Sequence, residues 1–105
     1  TRALELALLG ERMGADEAKA AGLVTRVVDD AALMDEAMAI ATRLAAGPTA
    51  AIGLIRKQVA AALDSDLEGV LAIERENQTK AGKTADFKES VAAFGEKRKP
   101  VFKGH

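Results

Sequence analysis

The chain has 105 residues with a formal net charge of −1, 30% charged and 49% hydrophobic residues, the make-up of one small globular domain or a piece of one. It has no cysteine, which excludes disulfides and thiolate metal sites and is compatible with a reducing cytosol. Near-neutral charge gives no global attraction to nucleic acid or an anionic membrane, no apolar run nears the roughly 18 residues of a membrane span, and no secretory signal opens the chain.

The charge is unevenly spread. Residues 1–79 hold 8 Lys/Arg against 13 Asp/Glu, and residues 80–105 hold 7 against 3. The first nine residues, TRALELALL, are strong helix formers and run into Gly10, a suitable residue just past a helix end. The chain begins at Thr1 already inside this apolar pattern, which reads as a fragment. Because residues 1–9 are apolar almost all round, the helix expects cover on every side, and Leu4, Leu8 and Leu9 are expected to be under-buried in the lone chain.

Residues 15–21 predict a two-turn helix with acidic residues in its first turn, stopped by Gly22. Leu23 to Val28 is a β-branched, extended segment too isolated to build a sheet. Asp29 or Asp30 can cap the next helix, whose stripe is Leu33, Ala37, Ile40, Ala41 and Leu44, widened by Met34 and Met38. Gly47-Pro48 ends it and starts another. There Ile52, Ile55, Val59 and Leu63 share one face, with Arg56, Lys57 and Gln58 turned away.

Ser65 or Asp66 is the expected cap of a helix over 67–81. Its stripe starts apolar, with Leu67, Val70 and Leu71, and turns polar at Glu74, Asn77 and Gln78. Thr84 is the expected cap of the last helix, whose face is Phe87, Val91 and Phe94, and Pro100 fixes its end. The pattern predicts an all-α architecture of about five short helices around a thin aliphatic core, with Phe87 and Phe94 in that core and Phe102 pinning the tail.

No self-contained active site is legible. Ser65 and Ser90 read as a cap and a surface position. His105 is the final residue, where fraying outweighs catalysis. The carboxylate pairs Asp29/Asp30 and Asp64/Asp66 sit at helix starts, where capping explains them, and Glu74/Glu76 point to different sides of a helix. Glu74 reads as solvated. No catalytic residue and no metal ligand set is predicted.

Two stretches carry a resemblance. LGERMGADEAKAAGLVTRVV, residues 9–28, resembles the "L-T-G-x-x-I-S-A-x-E-A-x-x-x-G-L-V-x-x-V" segment of the enoyl-CoA hydratase/isomerase (crotonase) superfamily. DFKESVAAFGEKRKPVF, residues 86–102, is similar to that family's "D-x-x-E-G-x-x-A-F-x-E-K-R-x-P-x-F". Leu9 departs from the family threonine, Gly14 from its serine cap and Ser90 from its glycine.

The resemblance spans residues 1–105 and implies the C-terminal helical region of an acyl-CoA-processing enzyme. The ββα-spiral core that supplies the oxyanion hole and the acid/base residues would lie upstream, outside this chain. Hydration of a trans-2-enoyl-CoA is the default activity it implies, and double-bond or ring-epoxide isomerisation the alternative. It also implies a cytoplasmic lyase of fatty acid metabolism, assembly into trimers or hexamers, and no cofactor beyond the coenzyme A of the substrate.

By the same resemblance, Lys97 and Phe94 meet the 3′-phosphate and adenosine end of coenzyme A. The reading without it is that Lys97, Arg98 and Lys99 only complement the carbonyl end of a helix, worth about 0.3–1 kcal/mol each, and Arg98 and Lys99 keep that reading. A helical self-association module without catalysis is the rival of another class. A nucleic-acid binder using the basic tail is a further rival, disfavoured by the net charge and the absence of Tyr and Trp.

Overall fold

The computed structural model describes residues 2–105, so Thr1 of the expected first helix lies outside the described residues. Six α-helices follow one another: α1 (Arg2–Leu9), α2 (Ala15–Ala20), α3 (Leu33–Ala45), α4 (Thr49–Ala61), α5 (Leu67–Ala81) and α6 (Ala85–Gly95). The all-α expectation holds with six helices in place of about five, and among the described residues there is no strand. No single described helix is long and apolar enough to cross a membrane.

The chain forms two compact units, residues 1–36 and 37–105. In the first, α1 ends where the N–H of Gly10 bonds the carbonyl of Leu6 at 3.1 Å, with Gly10 at a φ of 64°. The end of α2 is a full Schellman turn. Gly22 donates to Lys19 O at 3.0 Å, Leu23 to Ala18 O at 2.9 Å, and Gly22 takes the left-handed conformation that glycine accepts without penalty. Residues 23–28 form neither helix nor strand, with bends at Leu23 and Thr25.

The capping expected at Asp29 or Asp30 is not found. Asp29 sits at the N-cap but accepts nothing on its side chain. The helix begins instead with a tight 3₁₀ turn, Asp30–Ala32, in which the carbonyl of Asp29 takes the N–H of Ala32 at 2.9 Å. The tight turn satisfies the backbone locally and leaves both carboxylates to solvent. Arg26 and Glu36 close this unit with an ion pair of 3.1 Å.

In the second unit, α4 and α5 form the most closely packed helix pair. Pro48 stands at the N-cap of α4, its carbonyl accepting the N–H of Ile52 at 3.0 Å. Asp66 rather than Ser65 caps α5, taking the N–H of Gly69 at 2.8 Å. The packed faces match the expected stripes only in part. The partly buried positions are Ala50 to Leu54, Gln58 and Ala61 of α4 and Gly69, Val70, Ile73, Asn77 and Ala81 of α5, so Ile52, Val70 and Asn77 lie as expected. Ile55, Val59, Leu63, Leu67 and Leu71 are exposed.

Gln58 therefore faces inward, correcting the expectation that it turns away. Its side-chain oxygen accepts from Asn77 Nδ2 at 3.3 Å, and the same nitrogen reaches Leu54 O at 3.4 Å. A partly covered polar group needs such a partner, and the Asn77–Gln58 pair supplies it between the two helices.

Thr84 caps α6 as expected, with its hydroxyl accepting the N–H of Phe87 at 3.1 Å and donating to Ala81 O at 2.7 Å. The inward face of α6 is Asp86, Glu89 and Ala93, spaced i, i+3, i+7. Asp86 is 3% and Ala93 1% exposed. The expected core face lies about one residue, roughly 100°, around the helix. Phe87 and Phe94 are consequently exposed, Phe94 at 88%, and the expectation that they are core residues is corrected.

What covers Asp86 and Glu89 is the end of the chain. The Asp86 carboxylate accepts the N–H groups of Lys103 and Gly104 at 2.7 and 2.8 Å, and Asp86 N–H donates to His105 O at 3.0 Å. Glu89 takes the N–H of Val101 at 2.9 Å. Gly104 has a φ of 85°, and a Cβ there would lie 2.5 Å from the Thr49 hydroxyl at the start of α4. Phe102, expected to pin the tail, is partly buried, and the hydrogen bonds that hold the tail come from Asp86 and Glu89.

Leu4, Leu8 and Leu9 are under-buried as expected, Leu8 being 78% exposed. The α3 stripe is bare too, at Leu33, Met34, Met38 and Leu44. Contiguous apolar exposure on this scale is uncommon on a free-standing monomer.

Candidate functional site

The basic run at residues 97–99 follows the last turn of α6, and the backbone there is unusual. Lys97 has a φ of 54°, the one positive φ outside glycine among the described residues. Lys97 N–H bonds Phe94 O at 3.2 Å, and Arg98 N–H bonds Ala93 O at 3.0 Å. These are the two hydrogen bonds of a Schellman turn, with lysine in the position that usually holds glycine. Left-handed backbone costs an L-residue roughly 1–2 kcal/mol. Lys97 and Phe94 are thus joined through the capping turn rather than by sharing a helix face.

The three cations have separate fates. Arg98 is engaged on three sides. Its Nη2 donates to Glu89 Oε2 at 3.0 Å, its Nη1 to the other Glu89 oxygen, and its Nε to Glu96. A forked, charge-assisted contact of this kind is specific to arginine. Arg98 therefore acts as a clamp between carboxylates, and this replaces the expectation that it merely complements the helix end.

The guanidinium of Arg98, followed by the N–H of Val101, holds the Glu89 carboxyl down to about 2, while Glu89 and Glu96 push the Arg98 guanidinium further up. Among the described residues neither Lys97 nor Lys99 enters an ion pair, and both are exposed. One helix end thus carries an exposed aromatic ring, Phe94, and an exposed ammonium without a carboxylate partner, Lys97.

The other singled-out residues take structural roles. Asp66 caps. Glu76 pairs with Lys80 at 2.6 Å, and that contact lowers its pKa. Glu74 and Ser90 are exposed, and the His105 ring nitrogen lies 3.2 Å from Lys103 O. A cleft of about 190 Å³ in the first unit is lined by residues including Leu6, Leu9, Met13, Glu5 and Arg12. It holds neither a nucleophile–base pair nor the residues of the basic run.

Asp86 opens the family-like motif, but its role in holding the end of the chain is not legible in the sequence. A carboxylate in a first helical turn is explained by the helix dipole alone, and its bond to the chain's end spans 18 residues. The glycine at position 104, needed where the tail turns against Thr49, was the available signal.

A helical segment with a cation-and-ring end, and with no catalytic set among its described residues, can be compared with known proteins. The family model described as enoyl-CoA hydratase/isomerase matches residues 1–105. The chain belongs to the enoyl-CoA hydratase/isomerase family. It is 43% identical over 103 residues, 98% of its length, to a protein of Escherichia coli K12 named 1,2-epoxyphenylacetyl-CoA isomerase.

To a Rhodobacter capsulatus protein named probable enoyl-CoA hydratase it is 42% identical over 103 residues, again 98% of its length. The crystal structure of an enoyl-CoA hydratase from Bacillus anthracis superposes with a TM-score of 0.92 at 36% identity, over 99% of this chain. The chain spans about two-fifths of these relatives, 39%, 40% and 40% of their respective lengths. Its six helices match the C-terminal part of that fold.

Proposed function

We propose that these residues are the C-terminal helical part of an enzyme that acts on acyl-CoA thioesters, most simply one that hydrates trans-2-enoyl-CoA. The observation that carries the reading is the family match over residues 1–105. In this reading the chemistry passes through a thioester enolate held by backbone donors of a core outside this chain, where preorganised donors supply much of the stabilisation. Epoxide isomerisation on a ring-bearing acyl-CoA is the second reading, favoured by the Escherichia coli relative. Relative kcat/KM of the complete enzyme on the two substrate types distinguishes them.

Within this reading Lys97 and Phe94 receive the adenosine 3′-phosphate end of coenzyme A. An ammonium and an exposed ring three residues apart at one helix end suit an adenine that carries a phosphate. Two observations support the assignment. Lys97 keeps its side chain at a backbone position that glycine would occupy more cheaply, the kind of strain that gathers at functional sites. Its charge is not spent on a carboxylate. The bare apolar faces of α1, α3 and α6 fit a chain that packs on a core and on neighbouring copies in a trimer or hexamer.

The test uses the complete enzyme with a CoA thioester and with its dephospho analogue, which lacks the 3′-phosphate. Lys97→Ala should raise KM for the normal substrate about fivefold, on the order of 1 kcal/mol for an exposed charge-assisted contact, and leave the dephospho substrate nearly unchanged. It should leave kcat alone, because the contact is equal in ground and transition states. Equal losses on both substrates would return Lys97 to a purely helix-capping role.

A further inference from the structure

We infer that Glu89 is a positioning residue for Lys97, holding the lysine in its left-handed turn and removing Arg98 from competition for the same anion. The inference rests on the reading of Lys97 given above. Three adjacent cations could each take a phosphate; ion pairing sets Arg98 apart, and the left-handed turn sets Lys97 apart from Lys99. Both oxygens of Glu89 are occupied by the Arg98 guanidinium, and one of them also accepts the N–H of Val101 at 2.9 Å. Glu89 is partly buried on the inward face of α6, so it is an anchored acceptor rather than a swinging one.

Through these contacts one carboxylate fixes residues 98 and 101, the stretch that leaves the turn directly after Lys97. Lys97 itself is held in place by two backbone hydrogen bonds, its own to Phe94 and that of Arg98 to Ala93. The second of those bonds belongs to the residue that Glu89 clamps. With the clamp released, a lysine at a φ of 54° has right-handed conformations of lower energy available. Its ammonium would move with the backbone, and a freed Arg98 guanidinium would stand beside it as an unsorted second cation. Glu89 thus withdraws the middle charge of the run, and of the two lysines left unpaired it fixes the turn that carries Lys97.

The readout is phosphate discrimination, the ratio of KM for the dephospho thioester to KM for the normal one, measured on the complete enzyme. Lys97→Ala sets the scale with a loss of about fivefold. Glu89→Gln should lower the ratio at least about twofold with kcat unchanged, and should have no further effect in the Lys97→Ala background. If Glu89→Gln does not accumulate as folded enzyme, Arg98→Gln removes the same clamp from the other side and should lower the ratio likewise. An unchanged or raised ratio in the folded variant, with Lys97→Ala still losing discrimination, overturns the positioning role alone. A Lys97→Ala enzyme that keeps full discrimination overturns the Lys97 reading and this inference with it.

Discussion

The carboxylate of Asp86 and the backbone N–H of Gly104 meet at 2.8 Å, so a residue in the first turn of α6 holds the end of the chain. Lys103 N–H reaches the other oxygen at 2.7 Å, and the Asp86 N–H returns a bond to His105 O. A side chain only 3% exposed is satisfied there by backbone alone. Asp86→Ala would leave two partly buried donors unpaired and should cost about 1–3 kcal/mol. Hydrogen exchange checks it: the amides of residues 103 and 104 should lose protection while those of α4 and α5 keep theirs. Gly104→Ala should release the same segment, through Thr49 and the left-handed backbone.

Lys97→Gly separates stability from recognition. Glycine relieves the left-handed backbone at φ 54°, and the gain is reduced by the extra freedom that glycine gives the unfolded chain. A net stabilisation of about 0.5–1 kcal/mol is expected, read as a higher urea midpoint with unchanged slope. CoA-thioester KM in the complete enzyme should rise as it does for Lys97→Ala. A glycine variant that is more stable and binds equally well would show that the lysine is not kept for its charge.

The Glu89–Arg98 clamp gives a pH dependence whose sign follows from the lowered carboxyl. Glu89 drops from 4.5 to about 2 because it accepts from the Arg98 guanidinium and the Val101 N–H. A carboxylate depressed by folding contributes stability in full above its unfolded value, and loses it as pH falls toward the folded one. The stability difference between the parent chain and Glu89→Gln should be constant above pH 4.5 and shrink toward zero between 4.5 and about 2. Urea melts at a series of pH values measure it, and a difference that grows on acidification would contradict the clamp.

The features legible in the sequence are those decided within one helical turn. Thr84 and Asp66 cap because a short oxygen side chain reaches an N–H three residues on. Gly10 and Gly22 end helices because a left-handed residue is needed there. What escapes is which face each helix covers. Gln58, Phe87 and Phe94 are misplaced because periodicity describes a helix's own stripe and carries no information about what lies opposite. In α6 the covering element is the tail, fastened by Asp86 and Glu89, so the polar face is the inward one. Lys97 is legible only through the family motif, since nothing local distinguishes a left-handed lysine from its two neighbours.

The central claim is that these residues receive an acyl-CoA but do not transform it. The direct measurement is hydration of a short trans-2-enoyl-CoA, assayed on the purified 105-residue chain and on the complete enzyme side by side. The account predicts turnover by the complete enzyme and none above the buffer blank by the chain alone, which has no acid/base pair among its described residues to meet the thioester. Turnover by the chain alone that survives repurification, and is lost when one of its carboxylates is mutated, would contradict it.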